Sequence, residues 1–463
     1  MVKLNKNIVR EYDIRGVFGQ ELFAENAYEI GLALGLRALA NNSDIINIGY
    51  DGRNSSPILV ENLIAGIKNS GCAVNNIGLV PSPMLYFSVY WLKVDYGIMV
   101  TASHNPKEYN GFKIISKKEN FYGSDLKKFA DFVNLTKKYT HTAKYFDRTI
   151  EIENAYLTKL CAELAEFDIS NLKIAWDPAC GASAAILNKL LEKLPNKNFV
   201  INNVIDGDFP AHDPDPTIEK NLTQLKQLLK NNNCDLAIAF DGDGDRLGVL
   251  DNEAEVIWGD QLITLFAKDV LSDLPESTII TDIKASSVFK RKIEEYKGKA
   301  LIWKTGHSLI KAKMKEEGSP LAGEMSGHVF FADKNNYGYD DGLYAAIRLI
   351  AIIAKYKINL ADYRKSLPLT YTSKEEKIAV KEQEKFRIIE IIKAILQKEQ
   401  IDFLAIDGVR VSAEEGWWLI RASNTSPYLT TRCEANSQEG LAKLQNKINQ
   451  YVKKASELVE TVS

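Results

Sequence analysis

The sequence alternates short apolar runs with stretches of helical periodicity along most of its length. Apolar runs bounded by turn-forming residues are typical of buried strands. A segment such as "ENLIAGIKNSG" (61–71) instead has apolar residues at helical spacing, and its final glycine is suited to close a helix. This alternation predicts an α/β fold with layers of helix and sheet. The strand-like runs are "IINIGYD" (45–51), "YGIMVTA" (96–102), "LKIAWDP" (172–178), "CDLAIAFDG" (234–242) and "TIITDIK" (278–284).

The chain has 463 residues, which is enough for three or four domains of ordinary size, and 45% of them are hydrophobic. Composition changes in polar segments near residues 150, 253 and 368. After the last of these, a charged helical stretch precedes the closely spaced strands "DFLAIDGVRVS" and "GWWLIRASN", which predicts a small α+β unit with an antiparallel sheet. The predicted domains are therefore 1–150, 151–253, 254–368 and 369–463.

Charge and cysteine usage exclude several classes of protein. The 58 basic and 61 acidic residues are well mixed and give a net charge of −3, so a general nucleic-acid-binding protein is not expected. The five cysteines are scattered and form no CxxC pair, which argues against a disulfide framework or a zinc site. No apolar run is long enough to span a bilayer and the first residues do not resemble a signal peptide, so we expect a cytoplasmic protein without a membrane partner.

The first loop of chemical interest is "TASHNP" (101–106), which directly follows the apolar run "YGIMV". Ligands of open α/β sheets bind at the carboxyl ends of the strands, where such loops lie. Ser103 and Asn105 are also ordinary turn-formers that bond their own backbone. From these residues alone, both a structural turn and a functional hydroxyl at Ser103 remain open.

The second loop, "DGDGDR", places Asp241, Asp243 and Asp245 two residues apart after another apolar run. In an extended segment their carboxylates project to one side, and the glycines let the backbone curl around a centre. Carboxylate oxygens are preferred ligands of Mg²⁺ and Ca²⁺. An EF-hand loop requires glycine at its sixth position and glutamate at its twelfth, but Arg246 and Asn252 stand there. With only three carboxylates, the loop favours Mg²⁺ over a complete Ca²⁺ cage.

Two further loops carry polar side chains suited to a sugar phosphate. "GEMSGH" (323–328) offers a carboxylate, a hydroxyl and an imidazole, a set that could bind sugar hydroxyls. "RASNTSP" (421–427) offers a guanidinium, hydroxyls and an amide, which suit a dianionic phosphate. Each is also compatible with an ordinary capped turn.

Taken together, the four loops resemble the α-D-phosphohexomutase superfamily, and most of all its bacterial phosphomannomutase/phosphoglucomutase branch. They occur in this order, one in each predicted domain, and the resemblance covers essentially the whole chain. It implies a four-domain architecture, with three similar mixed α/β sheet domains and a C-terminal α+β domain around a central cleft. "DPACGAS" (177–183) departs from the asparagine-containing turn expected there. Further matching segments are "REYDIRG" (10–16), "NGFK" (110–113), "GDFPAHDPDP" (207–216) and "KTGHSLIKAKMKE" (304–316).

The resemblance implies that Ser103 carries a phosphoryl group, which would need a cation between it and the three aspartates. It also implies reversible phosphoryl transfer between the 1- and 6-positions of mannose and glucose phosphates, through a hexose 1,6-bisphosphate. The implied metal is Mg²⁺, held by Ser103, Asp241, Asp243 and Asp245. The implied catalytic residues are Ser103, Arg15, Lys113, His307, His328, Arg246 and His104, of which His104 is expected to orient the loop. The implied substrate-binding residues are Tyr12, Lys284, His307, Glu324, Ser326, His328, Arg421, Ser423, Asn424 and Thr425.

Several alternatives stay open at this point. His328, His307, Lys113 and Arg15 are all candidates for the general acid and base. The preference between mannose and glucose phosphates is undetermined, and a monomer is expected with a dimer as the alternative. Rival functions are a Mg²⁺-dependent phosphatase that works through a phosphoserine and a non-catalytic sensor of sugar phosphates or metal.

Overall fold

The computed structural model describes residues 3–136, 146–334, 336–381, 383–423 and 427–460. Within these residues the chain forms four successive sheets, and helices pack against each of them. None of the helices in these ranges is both long and apolar enough to cross a membrane. All five cysteines are free, in agreement with the absence of a disulfide framework.

The first domain contains a six-stranded mixed sheet. Its strands are β1 (Ile14–Val17), β2 (Ile45–Tyr50), β3 (Ala73–Leu79), β4 (Tyr96–Val100), β5 (Tyr109–Ser116) and β6 (Asp147–Thr149). Its helices are α1 (Ala24–Ala40), α2 (Ser56–Ser70), α3 (Ser82–Trp91) and α4 (Gly123–Leu135), with a 3₁₀ turn at Lys6–Ile8. The order is β1-β5-β4-β2-β3-β6, in which β4, β2, β3 and β6 are parallel and β5 runs antiparallel to both β4 and β1. Helix α2 ends where predicted, because Gly71 adopts a φ of 101° that closes it.

The second domain repeats this arrangement with five strands. The strands are β7 (Lys173–Asp177), β8 (Lys197–Val200), β9 (Leu236–Phe240), β10 (Leu247–Asp251) and β11 (Val256–Ile257). The helices are α5 (Glu153–Ala162), α6 (Ser183–Leu191) and α7 (Thr223–Asn232), with a 3₁₀ turn at Glu219–Leu222. The order is β11-β10-β9-β7-β8, with β9, β7 and β8 parallel and β10 antiparallel to β9.

The third domain has a four-stranded mixed sheet in the order β13-β12-β14-β15. Here the strands are β12 (Thr278–Asp282), β13 (Lys299–Trp303), β14 (Leu321–Gly323) and β15 (Val329–Phe331). The helices are α8 (Gly259–Asp273), α9 (Ser287–Glu295), α10 (His307–Glu317), α11 (Gly342–Tyr356) and α12 (Leu360–Ser366). Strands β13, β12 and β14 are parallel, and β15 is antiparallel to β14.

The fourth domain differs in having an antiparallel sheet flanked by two helices. Its elements are β16 (Tyr371–Thr372), β17 (Glu376–Ala379), α13 (Lys385–Lys398), β18 (Phe403–Leu404), β19 (Val409–Ala413), β20 (Gly416–Ala422), β21 (Tyr428–Ala435) and α14 (Gln438–Glu460). Every described strand pair in this sheet is antiparallel. The closely spaced strands recognised in the sequence are β19 and β20.

The four loops singled out in the sequence occupy equivalent places in the four sheets. Each connects a strand to the antiparallel strand beside it: β4 to β5, β9 to β10, β14 to β15 and β20 to β21. Because the same connection is repeated in each sheet, polar residues on one kind of loop are presented at the same kind of sheet edge.

The domains are packed to different degrees. One hydrophobic cluster spans the first three domains and includes Met84, Trp176 and Phe266, one from each. The first domain also has a core of its own, which includes Leu34 and Phe112. The fourth domain has its own core around Trp418 and Leu444. Its apolar contact with the third domain is a small cluster of Ile283, Trp417 and Leu419. The loops of the first three domains therefore stand on one packed unit.

Candidate active site

The first loop directs the Ser103 hydroxyl at the second domain. Ser103 is 2% exposed and adopts a φ of 52°, a left-handed conformation that is uncommon for a residue with a side chain. The hydroxyl of Thr101 accepts its N–H at 2.8 Å and fixes this turn. Ser103 Oγ donates to Asp241 Oδ2 at 2.8 Å and lies 3.1 Å from His104 Nδ1. The hydroxyl is therefore aimed at the acidic loop.

The acidic loop gathers its three carboxylates at one point. Asp241, Asp243 and Asp245 are fully buried, and one carboxylate oxygen from each lies within 4.8 Å of the others. The segment is a turn and not the extended segment expected from the sequence, because Gly244 takes a φ of 75° and its N–H bonds Asp241 O at 3.1 Å. Curling the backbone brings the carboxylates together more closely than a strand would.

These carboxylates fit a divalent cation with oxygen ligands. Buried Oδ1 atoms of Asp243 and Asp245 have no hydrogen-bond partner among the described residues, although buried carboxylate oxygens are normally satisfied. Lys113 Nζ supplies positive charge at 2.6 Å from Asp243 Oδ2 and 2.6 Å from Asp245 Oδ2, and Ser82 Oγ donates to Asp243 at 2.5 Å. Three clustered carboxylates, two of which have an oxygen without a hydrogen-bond partner, are the kind of ligand set that binds Mg²⁺.

The second and third loops are joined at Arg246 and His328. The two residues form an antiparallel bridge, and Leu247 N donates to Gly327 O at 2.9 Å. Arg246 Nε donates to His328 Nε2 at 3.1 Å. A guanidinium has no acceptor, so this bond places the ring proton of neutral His328 on Nδ1, which lies 3.0 Å from Asp340 Oδ2.

The third loop lies beside the start of helix α10. Glu324 is 2% exposed, and its Oε1 accepts the N–H of Gly306 at 2.5 Å. The ring of His307 stacks on His328 at 5.5 Å and meets the Tyr12 ring edge-on at 5.6 Å. Ser326 is half-buried on the same loop. Sugar-binding and acid-base candidates are thus contiguous.

The outer edge of the site is formed by Tyr12, Lys284 and the fourth loop. Tyr12 donates its hydroxyl to Thr305 O at 2.6 Å, and Lys284 Nζ lies 3.4 Å from Glu375 of the fourth domain. Arg421 is bound by Asp407, with its Nη2 3.0 Å from Oδ2. The predicted phosphate-binding residues Asn424 and Thr425 lie outside the described residues.

Ser423 and Arg15 complete the set of predicted residues. Ser423 N donates to Tyr428 O at 3.0 Å and so begins the fourth loop. Arg15 Nη1 donates to Asn105 Oδ1 at 2.6 Å, and Arg15 also pairs with Asp13. Arg15 therefore lies against the first loop. A cavity of 1070 Å³ between the first and third domains is lined by Tyr12, Lys113 and His307.

Burial and neighbouring charges separate the protonation states of these groups. Burial, followed by the Lys311 ammonium, holds the pKa of His307 well below its ordinary value. Burial, followed by the Arg246 guanidinium, does the same to the pKa of His104. Burial disfavours the charged form of Lys113, but the Asp243 and Asp245 carboxylates raise its pKa well above the ordinary value. These directions favour the neutral imidazole of His307 and the charged ammonium of Lys113.

Comparison with known proteins shows which family combines these loops. Family models described as phosphoglucomutase/phosphomannomutase alpha/beta/alpha domains I, II and III match residues 6–134, 154–255 and 258–371, and the model of the C-terminal domain matches 375–450. The chain belongs to the phosphoglucomutase/phosphomannomutase family.

Relatives from several bacteria match over nearly their whole length. A phosphomannomutase/phosphoglucomutase of Pseudomonas putida is 40% identical over 96% of this chain and 95% of its own. A phosphoglucomutase of Neisseria gonorrhoeae is 36% identical over 99% of both chains. The crystal structure of a phosphoglucomutase/phosphomannomutase family protein from Burkholderia thailandensis matches with a TM-score of 0.90 and 35% identity over 98% of both chains. The predicted superfamily and the predicted four-domain fold class are confirmed.

Two residues that support the site in this family member were missed in the sequence. Arg53 holds the backbone of the first loop from a turn that follows β2. Asp340 faces both histidines, with its Oδ2 3.0 Å from His328 Nδ1 and 3.7 Å from His307 Nδ1. One feature of the sequence could have indicated both residues. Like the four loops, the segments "YDGRNSS" and "YDDG" place charged residues beside glycine.

Proposed function

We propose that this chain reversibly moves a phosphoryl group between the 1- and 6-positions of mannose and glucose phosphates. Family membership supports the reaction class, and the geometry supports the residues. The observation that carries the proposal is the direction of Ser103 Oγ, which bonds Asp241 within the cluster of three buried carboxylates. A hydroxyl buried against carboxylates is an unusual place for a simple turn-former, but it suits a phosphoryl carrier next to a cation.

In the first half-reaction, the bond between phosphorus and Ser103 Oγ breaks while a bond to a free sugar hydroxyl oxygen forms. The sugar hydroxyl proton passes to a base, Ser103 Oγ takes up a proton as it leaves, and the product is a hexose 1,6-bisphosphate. In the second half, Ser103 Oγ loses this proton as it receives the other phosphoryl group of the intermediate, and a proton goes to the sugar oxygen that is released. Phosphorus and protons balance over the two halves, so no phosphate is consumed.

We assign the proton transfers to His307, which the sequence could not rank against His328, Lys113 and Arg15. The one acceptor nitrogen of neutral His328 already accepts from Arg246. The pKa of Lys113 is raised by two carboxylates. A guanidinium offers hydrogen-bond donors and no acceptor, so we assign Lys113 and Arg15 the role of positive groups near the moving phosphoryl group. Neutral His307 can accept a proton near pH 7. Asp340, whose Oδ2 lies 3.7 Å from His307 Nδ1, would stabilise the imidazolium of His307 as it forms.

A magnesium ion would be held by Asp241, Asp243, Asp245 and a phosphate oxygen on Ser103. When bound, it would neutralise charge on the transferring phosphoryl group, which is the main requirement of this chemistry. Arg246 would add a guanidinium next to Asp241, at 3.9 Å from its Oδ2. His104 would keep the first loop oriented through its contact with Ser103.

The sugar hydroxyls and the phosphate that does not react would be bound by the third and fourth loops and by residues at the outer edge of the site. Glu324 and Ser326 are suited to the sugar hydroxyls, with Tyr12 and Lys284 as further contacts. We propose that Arg421, Ser423, Asn424 and Thr425 bind the phosphate that is not reacting. We also propose a monomer that acts in the cytoplasm on small-molecule hexose phosphates.

Phosphorus NMR of the purified protein with Mg²⁺, glucose 1-phosphate and a trace of glucose 1,6-bisphosphate tests this function. We expect conversion to glucose 6-phosphate without inorganic phosphate, and a parallel reaction with mannose 1-phosphate. Inorganic phosphate as the sole product would identify a phosphatase. No conversion, together with saturable binding of glucose 1-phosphate, would identify a sensor.

A further inference from the structure

A fully buried arginine organises the loop that carries Ser103. Arg53 lies on the turn between β2 and α2, and its side chain is 0% exposed. Its Nη2 donates to Ser103 O at 2.7 Å and to Asn105 O at 2.7 Å. Its Nη1 donates to Pro106 O at 2.7 Å and to Tyr109 O at 3.0 Å. One guanidinium thus bonds four backbone carbonyls, three in the loop and one at Tyr109, the first residue of β5.

Asp51 connects this guanidinium to the amide of Ser103. Its Oδ2 accepts Arg53 Nε at 3.1 Å and the hydroxyl of Thr101 at 2.7 Å. The same Thr101 hydroxyl accepts the N–H of Ser103 at 2.8 Å. Arg53 therefore bonds the carbonyl of Ser103 directly, and the Thr101 hydroxyl links Asp51 to the amide of Ser103.

The conformation of Ser103 explains why such support is needed. A serine with a φ of 52° is held in a region that residues with a side chain normally avoid, so its surroundings must impose that conformation. Lysine could not do the same, since one ammonium lacks the planar fork that reaches four separate carbonyls.

We propose that Arg53 is a positioning residue for phosphoryl transfer: it holds the 103–109 backbone so that Ser103 Oγ stays directed at the acidic loop. This inference rests on the proposed function of Ser103. The substrate itself is bound by other loops, so losing Arg53 slows the transfer step and leaves the affinity for hexose phosphate nearly unchanged.

The test compares Arg53→Lys with Arg348→Lys, a matched change at another buried arginine. Arg348 is 1% exposed and pairs with Asp269 and Asp333, in the third domain and outside the site. Each enzyme is first labelled with radioactive phosphate from glucose 1,6-bisphosphate. Rapid quench then follows the transfer of this label to glucose 6-phosphate, and hydrogen exchange reports on the loop amides.

For Arg53→Lys we expect transfer to slow by about 100-fold, the usual consequence of a small misplacement of reacting groups. The affinity for glucose 6-phosphate should change less than about threefold, and exchange should accelerate in segment 101–109 but not elsewhere in the first domain. Arg348→Lys should transfer label at the wild-type rate.

The proposal is overturned if folded Arg53→Lys transfers label within about threefold of the wild-type rate. It is also overturned if both variants slow equally, or if exchange rises throughout the first domain, since either result indicates general destabilisation. Should Arg53→Lys fail to fold, Asp51→Asn removes the carboxylate that orients Arg53 Nε and is judged by the same criteria. A wild-type enzyme that takes up no label on Ser103 would refute the proposed function itself, which is a different outcome.

Discussion

The three loops around Ser103 and the fourth loop at Arg421 stand on parts of the molecule that are packed differently. One hydrophobic cluster spans the first three domains, in addition to the separate core of the first domain, and buried polar bonds such as that between Ser103 and Asp241 cross their boundaries. The fourth domain has a separate core. Its contacts with the third domain include a small apolar cluster, the bond from Arg410 Nη1 to Ile283 O at 2.6 Å, the bond from Ser287 Oγ to Glu434 at 2.6 Å, and the Lys284–Glu375 ion pair.

A cavity of 1090 Å³, lined in part by Arg291 and Arg410, lies between the third and fourth domains. This difference suggests a division of labour. Phosphoryl transfer demands accurate positioning, and the residues proposed to carry it out lie on the first three domains. The residues proposed to bind the outlying phosphate lie on the fourth domain, which we expect to adjust to both orientations of the substrate.

The largest loss of activity is expected for Asp243→Asn, in the acidic loop of the second domain. Loss of one of three carboxylates should reduce turnover about 1000-fold, since a bound cation supplies several kcal/mol of charge stabilisation. The measurement is Mn²⁺ binding by electron paramagnetic resonance together with turnover as a function of Mg²⁺. Asp177→Asn is the control, because Asp177 is equally buried at the end of β7 but bonds His212 and not the acidic loop. Equal Mn²⁺ affinity in both variants would contradict the assignment of the metal site.

A pair of leucine substitutions tests the separation of the cores. Leu187 on α6 belongs to the shared core and Leu444 on α14 to the core of the fourth domain, and both are 0% exposed. Each Leu→Ala change should cost about 2–5 kcal/mol. In calorimetry, Leu444→Ala should lower one transition and Leu187→Ala the other. A single transition that shifts equally in both variants would show that the four domains unfold as one.

Arg421→Met should separate binding from chemistry. Hydrogen bonds to a charged group contribute about 1.5–3 kcal/mol, so we expect KM for glucose 1-phosphate to rise about 10–100-fold. The transfer of label from Ser103 during a single turnover at saturating substrate should change much less. If the single-turnover rate falls as far as kcat/KM, then the fourth loop takes part in the transfer step and the proposed division is wrong.

The smallest effect concerns Asp341 of the third domain and the pH dependence of the free energy of unfolding. Burial raises the pKa of Asp341 to about 6 from an ordinary value of 3.8, although it accepts bonds from Tyr156 and Tyr344. The folded protein thus binds a proton that the unfolded chain releases in this interval, so Asp341 makes stability fall as pH rises from about 4 to 6. Asp341→Asn keeps the cap of α11 and should increase stability by about 2 kcal/mol at pH 7.5 in urea unfolding. The gain should vanish near pH 4, and a gain of equal size at both pH values would point to another cause.

Local chemistry explains how much of the fold was predictable. The alternation of apolar runs and helical stretches marks each sheet, and glycines such as Gly71 mark helix ends, because both depend on neighbouring residues. At 241–245 the curling of the backbone at its glycines was predicted correctly, but the description of the segment as extended was wrong. Spacing alone does not reveal a φ of 75° at Gly244, which the fold requires there.

The site was predictable where residue types carry the chemistry, as at Ser103 and the three aspartates. The supporting residues were not. Arg53 acts on backbone carbonyls 50 or more positions away, and Asp340 meets His328 only after the third sheet forms. Their partners are set by tertiary contacts, which no local pattern records. The ranking of His307 against Lys113 likewise required burial and neighbouring charge.

Peptide mass mapping of the purified enzyme tests the central claim most directly. The account predicts an additional mass of about 80 Da on the peptide that contains Ser103. After radioactive labelling from glucose 1,6-bisphosphate, a chase with unlabelled glucose 6-phosphate should remove the label at a rate no slower than turnover. Ser103→Ala should stay folded yet lack both the added mass and the isomerisation. Undiminished isomerisation by Ser103→Ala, or a transferable phosphoryl group on any other residue, would contradict the account.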